Sequence, residues 1–252
     1  MSLLIDLAKD TNNNIIKYDI TDMPHCLISG IGPSGKTVVL DSIIVSLIQN
    51  YTKDDVRIMI SDFNNCEFNV YNNIPHLLCP LITNNEDLIE KLDYLNDVMN
   101  ERYILLRDSD CYNIRNYNDK YSNDKNNTKL PYIVMCIDDI SYALIGEEEA
   151  EIINQKLMYL LVKGRTVGIH LILSIHSRVL YRISCGNLSN LRFRIVLPCN
   201  NSLQYSQLLE EKINDLRLSL GEMVIKDCTG EIIKAKSIYY NRMAIKDICD
   251  NL

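Results

Sequence analysis

The chain has 252 residues, 47% of them hydrophobic and 23% charged, which is enough for one sizeable core and argues against wholesale disorder. Its net charge of −7 argues against a large surface for nucleic-acid phosphates, although it leaves room for a local basic patch. No apolar run reaches the roughly 18 residues of a membrane span, and nine cysteines without a CxxC pair indicate free, buried thiols in a reducing cytoplasm.

The first half of the chain predicts a hairpin, two strands and two helices. Residues 4–19 alternate loosely around a polar turn, residues 25–29 and 56–60 are short apolar runs, and residues 36–49 carry a helical apolar stripe. Residues 85–106 predict a long amphipathic helix. The polar stretch 108–129 predicts a loop around a short helical piece near 112–120.

The second half continues the alternation of strands and helices. Continuous apolar runs at 132–137, 169–175 and 191–197 suit strands buried on both faces of a parallel sheet. Residues 148–163 predict a helix closed by Gly164, and 222–225 with 231–238 predict a terminal hairpin. The expected fold is therefore a three-layer α/β domain with a mainly parallel sheet.

We expect one domain over residues 1–252. Residues 1–22 form its N-terminal hairpin extension, residues 23–221 its core, and residues 222–252 its terminal hairpin and tail.

A glycine-rich turn follows the predicted strand 25–29 and opens the predicted helix 36–49, and it fits the pattern G-x-x-x-x-G-K-[ST] fully. Such a loop curls its backbone N–H groups toward phosphate oxygens, and the following helix adds its positive dipole end. The sequence thus predicts a site for ATP or GTP with Mg²⁺, in which the lysine reaches the β- and γ-phosphates and the threonine hydroxyl is a Mg²⁺ ligand. The predicted binding residues are Gly30, Ile31, Gly32, Pro33, Ser34, Gly35, Lys36, Thr37 and Val38.

Two carboxylates end the buried strand 132–137. Asp138 is the expected Mg²⁺ carboxylate, and Asp139 is expected to orient or activate the attacking water. Asp139 is one methylene shorter than the glutamate expected there. The alternative is that Asp139 only caps the helix or loop that follows.

A polar group also ends the strand 169–175. His176 is expected to hydrogen-bond the γ-phosphate or the attacking water, with a surface histidine as the alternative. An arginine from a neighbouring subunit would offset transition-state charge. The candidates are Arg165, Arg178 and Arg192, with Arg182 and Arg194 also considered.

Several blocks, in order, resemble the FtsK/SpoIIIE family of translocating ATPases over residues 7–221. They are LAKD at 7–10, MPH at 23–25, YNNIPHLL at 71–78, MNERY at 99–103, NIRNYN at 113–118, LPYIVMCIDD at 130–139, GIHLIL at 168–173 and GEM at 221–223. The ordered set is specific, whereas no single block is.

The resemblance implies a RecA-like motor core, an ATPase with ATP and Mg²⁺ as cofactors, and a hexameric ring that moves double-stranded DNA through its pore. In the type VII secretion branch, similar domains act in protein export, so a secreted protein is the alternative substrate. The implied place of action is the cytoplasm or the cytoplasmic face of a membrane, with membrane contact only through regions absent from this chain.

This chain departs from the family pattern at three places. It has Asp138-Asp139 for Asp-Glu, His176 for Gln, and Ser177-Arg178 for the following Arg-Pro. A weakly hydrolysing regulatory nucleotide-binding domain therefore stays an alternative. The chain also has no N-terminal membrane region and no winged-helix domain, so the resemblance suggests a fragment or one of several tandem ATPase domains.

Overall fold

A computed structural model describes residues 2–23, 25–122 and 129–252. Within these residues nine strands form a single sheet. In chain order they are β1 Leu4–Lys9, β2 Ile15–Asp19, β3 Cys26–Gly30, β4 Val56–Asp62, β5 Tyr132–Asp138, β6 Ile169–His176, β7 Phe193–Val196, β8 Glu222–Lys226 and β9 Ile232–Ser237.

The sheet has a parallel part of five strands and a smaller antiparallel part. Its order is β2-β1-β9-β8-β7-β3-β6-β5-β4. Strands β7, β3, β6, β5 and β4 run parallel, and the N-terminal and C-terminal hairpins extend the sheet beyond β7 with antiparallel pairings. Because β3, β5 and β6 are parallel neighbours, their carboxyl ends meet at one edge, which is where ligands bind in sheets of this kind.

Helices cover both faces of the sheet. They are α1 Lys36–Asn50, α2 Asn85–Asp108, α3 Ile114–Lys120, α4 Glu147–Lys163, α5 Cys185–Asn190, α6 Ser202–Leu209 and α7 Arg242–Asp250. The buried residues form two clusters, one including α1 and the other including α2 and α4.

Alternate residues of each central strand feed the two clusters. On β5, Val134 and Cys136 pack with α1, whereas Ile133 and Met135 pack with α2 and α4. A strand buried on both faces needs an unbroken apolar run, as its sequence shows. The expected three-layer α/β fold with a mainly parallel sheet and a C-terminal hairpin is confirmed.

α4 ends at Lys163 with Gly164 as its C-cap, as predicted, although Gly164 does not take the left-handed conformation common at that position. Gly164 has right-handed backbone angles (φ −58°), and the chain continues through a 3₁₀ turn to Gly168, which takes the left-handed conformation at φ 77°. A side chain at Gly164 would place its Cβ 2.9 Å from the carbonyl oxygen of Ile169. The glycine therefore serves close packing, and Gly168 ends the helical segment.

Three short helices, α5 to α7, were not predicted, because six to nine residues carry too little periodicity to be distinguished from loops. No helix among the described residues is long and apolar enough to cross a membrane. All nine cysteines are free thiols, as expected, but only Cys26 and Cys136 are buried, and Cys66 and Cys185 are exposed.

Candidate functional site

The glycine-rich loop lies between β3 and α1, at the carboxyl edge of the parallel strands. Gly30 ends β3, and a Cβ there would lie 2.5 Å from Ser34 Oγ and 2.8 Å from Leu197 Cβ, so only glycine fits. Gly35 precedes α1 with φ +100°, a conformation that residues with side chains rarely adopt. The two glycines thus allow the tight curl that aims backbone N–H groups at a bound phosphate.

Lys36 opens α1 and turns back over the loop. Its Nζ lies 3.4 Å from the carbonyl oxygen of Ile31 and 3.8 Å from Asp139 Oδ2. The side chain is 9% exposed, so the ammonium is held in the site rather than in solvent. The lysine and the second carboxylate that the sequence singled out are therefore brought together.

Thr37 and Asp138 also meet here, although 101 positions separate them. The Thr37 hydroxyl donates to Asp138 Oδ2 at 3.3 Å. The other carboxylate oxygen, Oδ1, accepts a hydrogen bond from Ser174 Oγ at 2.8 Å. Two oxygen donors of the kind Mg²⁺ prefers thus share one spot beside the phosphate loop.

Ser174 is a site residue that the sequence reasoning missed. It is completely buried on β6, and its Oγ both donates to Asp138 and accepts the N–H of Asp139 at 2.7 Å. It fixes the positions of both acidic residues. Its signal was available, because Ser174 lies two residues before His176 and side chains at this spacing share one face of a strand.

Burial governs the charge of Asp138. Burial and, less strongly, Asp139 raise the pKa of this carboxyl, the Ser174 hydrogen bond and Lys36 oppose the rise, and the resulting pKa is about 6. A positive ion beside Asp138 would offset the cost of keeping the carboxylate charged there.

Asp139 has an unusual backbone conformation, with φ +41°. Its side chain does not cap α4, whose N-cap is Gly146. Its Oδ1 is buried without a hydrogen-bond partner among the described residues, while Oδ2 faces Lys36. A helix-capping role is therefore not what holds Asp139 in this position.

His176 ends β6 next to the phosphate loop. Its Nε2 lies 3.2 Å from the backbone nitrogen of Gly32, and its Nδ1 lies 3.2 Å from that of Arg178. Burial and then Lys36 lower the pKa of His176 below its ordinary value, and Arg178 acts in the same direction while Asp139 opposes it. The ring is thus neutral at pH 7 and contacts the loop directly.

A further carboxylate, missed in the sequence, orders the loop after β4. Asp62 pairs with Asp138 across the β4–β5 ladder and is 1% exposed. Its side chain accepts the N–H groups of Asn64, Cys66, Glu67 and Phe68. Four backbone donors thus fix this loop to the end of β4, the strand next to β5.

The candidate arginines fall at different places. Arg178 is exposed just after β6, beside the phosphate loop. Arg165 is exposed at the opposite edge of the sheet, in a cavity of about 330 Å³ that Arg115 and Tyr112 also line. No hydrogen bond or ion pair joins the Arg165 guanidinium to another described residue.

The other three arginines bind within their own chain. Arg192 donates to the carbonyl of Cys228, and Arg182 to the carbonyls of Leu144 and Ile145. Arg194 is 2% exposed, and it donates to three carbonyls and to Glu210. Arg194 is therefore excluded as a donor to a neighbouring subunit, because burial of the guanidinium keeps it from any partner chain.

The loop fits a phosphate ligand and a cation. Among the described residues, Ser34 Oγ in the loop and Asp139 Oδ1 beside it are buried oxygens without hydrogen-bond partners. No group of three or more His, Cys, Asp or Glu side chains able to hold a metal occurs in residues 2–23, 25–122 and 129–252. A cation held by Thr37 and Asp138 would complete its ligands with phosphate and water oxygens, as Mg²⁺ commonly does.

Comparison with known proteins gives a consistent result. The model of the FtsK/SpoIIIE family matches residues 1–184. A DNA translocase FtsK of Clostridium acetobutylicum is 30% identical over 224 residues, which is 88% of this chain and 29% of the relative. A DNA translocase FtsK of Campylobacter jejuni is 29% identical over 252 residues, 99% of this chain and 26% of the relative. The chain thus spans under a third of the length of these curated relatives.

Solved structures share the fold over nearly the whole chain. The pCW3 conjugation coupling protein TcpA with ATPγS superposes with a TM-score of 0.81 at 23% identity, covering 100% of this chain and 71% of that one. ATPases 2 and 3 of EssC from Geobacillus thermodenitrificans give a TM-score of 0.81 at 19% identity, covering 99% of this chain and 48% of that one. At such identities the likeness shows the fold, a RecA-like P-loop ATPase fold.

Proposed function

The chain belongs to the FtsK/SpoIIIE family, and on this premise we propose that it is an ATP-hydrolysing motor domain that moves double-stranded DNA as part of a hexameric ring. One observation carries the proposal: Lys36, Thr37, Asp138 and His176 converge at the carboxyl edge of the parallel strands. They come from three parts of the sequence, and together they form the constellation that phosphoryl transfer needs.

We propose the following division of roles around ATP. The loop N–H groups of residues 30–38 and the Lys36 ammonium bind the phosphates, while Thr37 and Asp138 hold Mg²⁺. The bound ion would supply positive charge that offsets the charge of the β- and γ-phosphates.

Asp139 is proposed to orient the attacking water. Its Oδ2 faces Lys36 at 3.8 Å. A phosphate that draws the Lys36 ammonium away leaves this carboxylate free to accept a proton or hydrogen bond from water. Its shorter side chain predicts slow hydrolysis rather than none.

Arg165 and Arg178 remain the proposed donors to a neighbouring active site. Both are exposed, and they lie at opposite edges of the sheet. Arg192 stays a weaker candidate, since it already donates to the carbonyl of Cys228. Arg165 lies at the sheet edge opposite the phosphate loop. It would reach the neighbouring subunit's nucleotide site in a ring where this edge of one subunit faces the phosphate loop of the next.

DNA is the proposed polymer, because the curated relatives are named DNA translocases. The net charge of −7 favours the second candidate, a protein-export ATPase, since an acidic chain is a poor general binder of phosphate backbones. We further propose that the domain works in the cytoplasm, with any membrane contact made by sequence outside this chain.

ATP turnover of the purified chain, with and without duplex DNA, tests the motor proposal. We expect DNA-stimulated turnover in the wild type and loss of it in Lys36→Ala. Lys17→Ala is the matched control, because Lys17 pairs with Asp6 on the surface hairpin and lies far from the loop in the sheet. Oligomeric state is measured alongside by light scattering.

Two outcomes would contradict parts of the proposal. Tight ATP binding with negligible turnover, in a preparation that forms rings, would favour the regulatory nucleotide-binding alternative. Turnover stimulated by an unfolded polypeptide and not by DNA would favour protein export.

A further inference from the structure

The His176 ring lies between two backbone N–H groups that belong to different loops. Gly32 N–H points at Nε2 and Arg178 N–H points at Nδ1, each with a nitrogen–nitrogen distance of 3.2 Å. Gly32 is part of the phosphate loop, while Arg178 belongs to the 3₁₀ turn Ser177–Arg182 that follows β6. The imidazole therefore joins the nucleotide site to this turn.

These two contacts cannot both be hydrogen bonds. A neutral imidazole has one N–H and one acceptor nitrogen, so it accepts from Gly32 or from Arg178 but not from both. An imidazolium accepts from neither. In this geometry the ring is thus always left with one N–H facing another N–H.

We propose that His176 caps the phosphate loop of the nucleotide-free chain, and that nucleotide binding fixes its proton on Nε2. This inference rests on the proposed function and deepens it. When a phosphate oxygen accepts the hydrogen bond from the Gly32 N–H, Nε2 no longer has to accept it. The ring can then accept from the Arg178 N–H alone. Nε2 then carries the proton and donates to a phosphate oxygen, while Nδ1 accepts from Arg178; the proton moves between the ring nitrogens through water.

The charges around the ring agree with this arrangement. Lys36 on α1 and Arg178 after β6 lower the pKa of His176, as burial does first of all, and Asp139 after β5 is the opposing group. The Ser141 hydroxyl also faces this strand end, where it accepts the backbone N–H of His176. The neutral ring, with its choice of tautomer, is therefore the relevant form at pH 7.

The switch has a structural consequence beyond the loop. When Nδ1 accepts from Arg178, His176 acts as the N-cap of the turn Ser177–Arg182. At the other end of that turn, Arg182 donates to the carbonyls of Leu144 and Ile145, just before α4. Nucleotide binding is thus expected to stabilise this turn, on which Tyr181 is exposed, and the segment before α4, on which Ile145 is exposed.

Nitrogen-15 NMR of histidine side chains tests the proposal on the full chain, with and without ATPγS and Mg²⁺. In the free chain we expect averaged shifts at both His176 nitrogens, because neither tautomer satisfies both donors. With ATPγS we expect Nε2 to take the shift of a protonated nitrogen and Nδ1 that of an acceptor. His176→Gln assigns the signals, and His25, buried where its Nδ1 accepts from Leu171 N–H, is the internal control.

Arg178→Pro and Arg178→Ala form a matched pair. Proline removes the N–H that faces Nδ1 and tolerates the first turn of a helix, whereas alanine removes only the guanidinium. We expect the free Arg178→Pro chain to hold the proton on Nδ1 and to bind ATPγS about two- to tenfold more weakly, the range that one neutral hydrogen bond spans. Arg178→Ala is expected to match the wild-type tautomers.

Two results would contradict the proposed tautomer switch of His176. A ring that keeps the proton on Nε2 in the free and bound states, or an Arg178→Pro chain that behaves like Arg178→Ala, would overturn the switch. Calorimetry separates this from the proposed function: absence of ATPγS binding overturns nucleotide binding itself. ATPγS binding with unchanged His176 tautomers overturns only the tautomer switch.

Discussion

Replacing Ser174 by alanine is expected to destabilise the fold and the acidic pair together. The hydroxyl is completely buried, and it donates to Asp138 at 2.8 Å and accepts the N–H of Asp139 at 2.7 Å. The variant leaves Asp138 Oδ1 without its charge-assisted hydrogen bond and the part-buried N–H of Asp139 without an acceptor. Each such loss costs about 1–3 kcal/mol, so we expect the two together to lower the free energy of unfolding by about 2–6 kcal/mol.

The loss of stability in Ser174→Ala is also expected to depend on pH. Because the Ser174 hydrogen bond lowers the pKa of Asp138, which stands at about 6, the bond is stronger when the carboxyl is charged. The destabilisation in Ser174→Ala should therefore shrink as the pH falls through about 6. Urea unfolding at several pH values, followed by circular dichroism, measures it.

Ser61→Ala is the matched control for Ser174→Ala. Ser61 lies on β4 and is as fully buried as Ser174, but its hydroxyl has no hydrogen-bond partner among the described residues. Its removal should leave stability unchanged or slightly raise it. If Ser174→Ala cost no more than Ser61→Ala, the bridging role of Ser174 would be refuted.

Four further substitutions test the loop and the core, each by urea unfolding. Gly30→Ala should lower the free energy of unfolding by about 1–3 kcal/mol, because its Cβ would lie 2.8 Å from that of Leu197. Gly32→Ala is the control and should cost less, since its Cβ meets only ordinary contacts at 3.9 Å. Equal losses of stability in the two variants would contradict this reasoning. Asp41, whose pKa burial raises to about 6, contributes stability that is present below about 3.8 and is lost as the pH rises through about 6. Asp41→Asn should therefore be more stable than the wild type at pH 7.5, by about 1–3 kcal/mol, with no gain at pH 4. Arg194→Met should cost about 2–4 kcal/mol, because buried carbonyls lose their donor; a loss under about 1 kcal/mol would show that water replaces the guanidinium.

The phosphate loop was predictable because its physics is local. Gly30 and Gly35 allow the curl, Lys36 and Thr37 follow at fixed spacing, and a strand before and a helix after are visible as periodicity in a few dozen residues. The same holds for Asp138 at the end of a continuous apolar run. These features need no information about distant parts of the chain.

Residues that act across strands were harder to predict. In the sequence, Ser174 is marked only by its position two residues before His176, and Asp62 looks like an ordinary strand end. Their partners are decided only when β4, β5 and β6 align in register. The helix-capping alternative for Asp139 was likewise settled only by position, since Gly146 caps α4. Arg194 was a plausible surface arginine until its burial on β7 removed it from the candidates.

The sequence by itself determined the α/β alternation, the phosphate loop and the first acidic residue, because backbone curvature and side-chain period are set by neighbours along the chain. Only the tertiary structure decided that Lys36 faces Asp139, that Ser174 bridges both carboxylates, and that the His176 ring meets Gly32. These contacts join residues up to 144 positions apart. Their geometry depends on strand register and on which groups are buried together, quantities that no local pattern specifies.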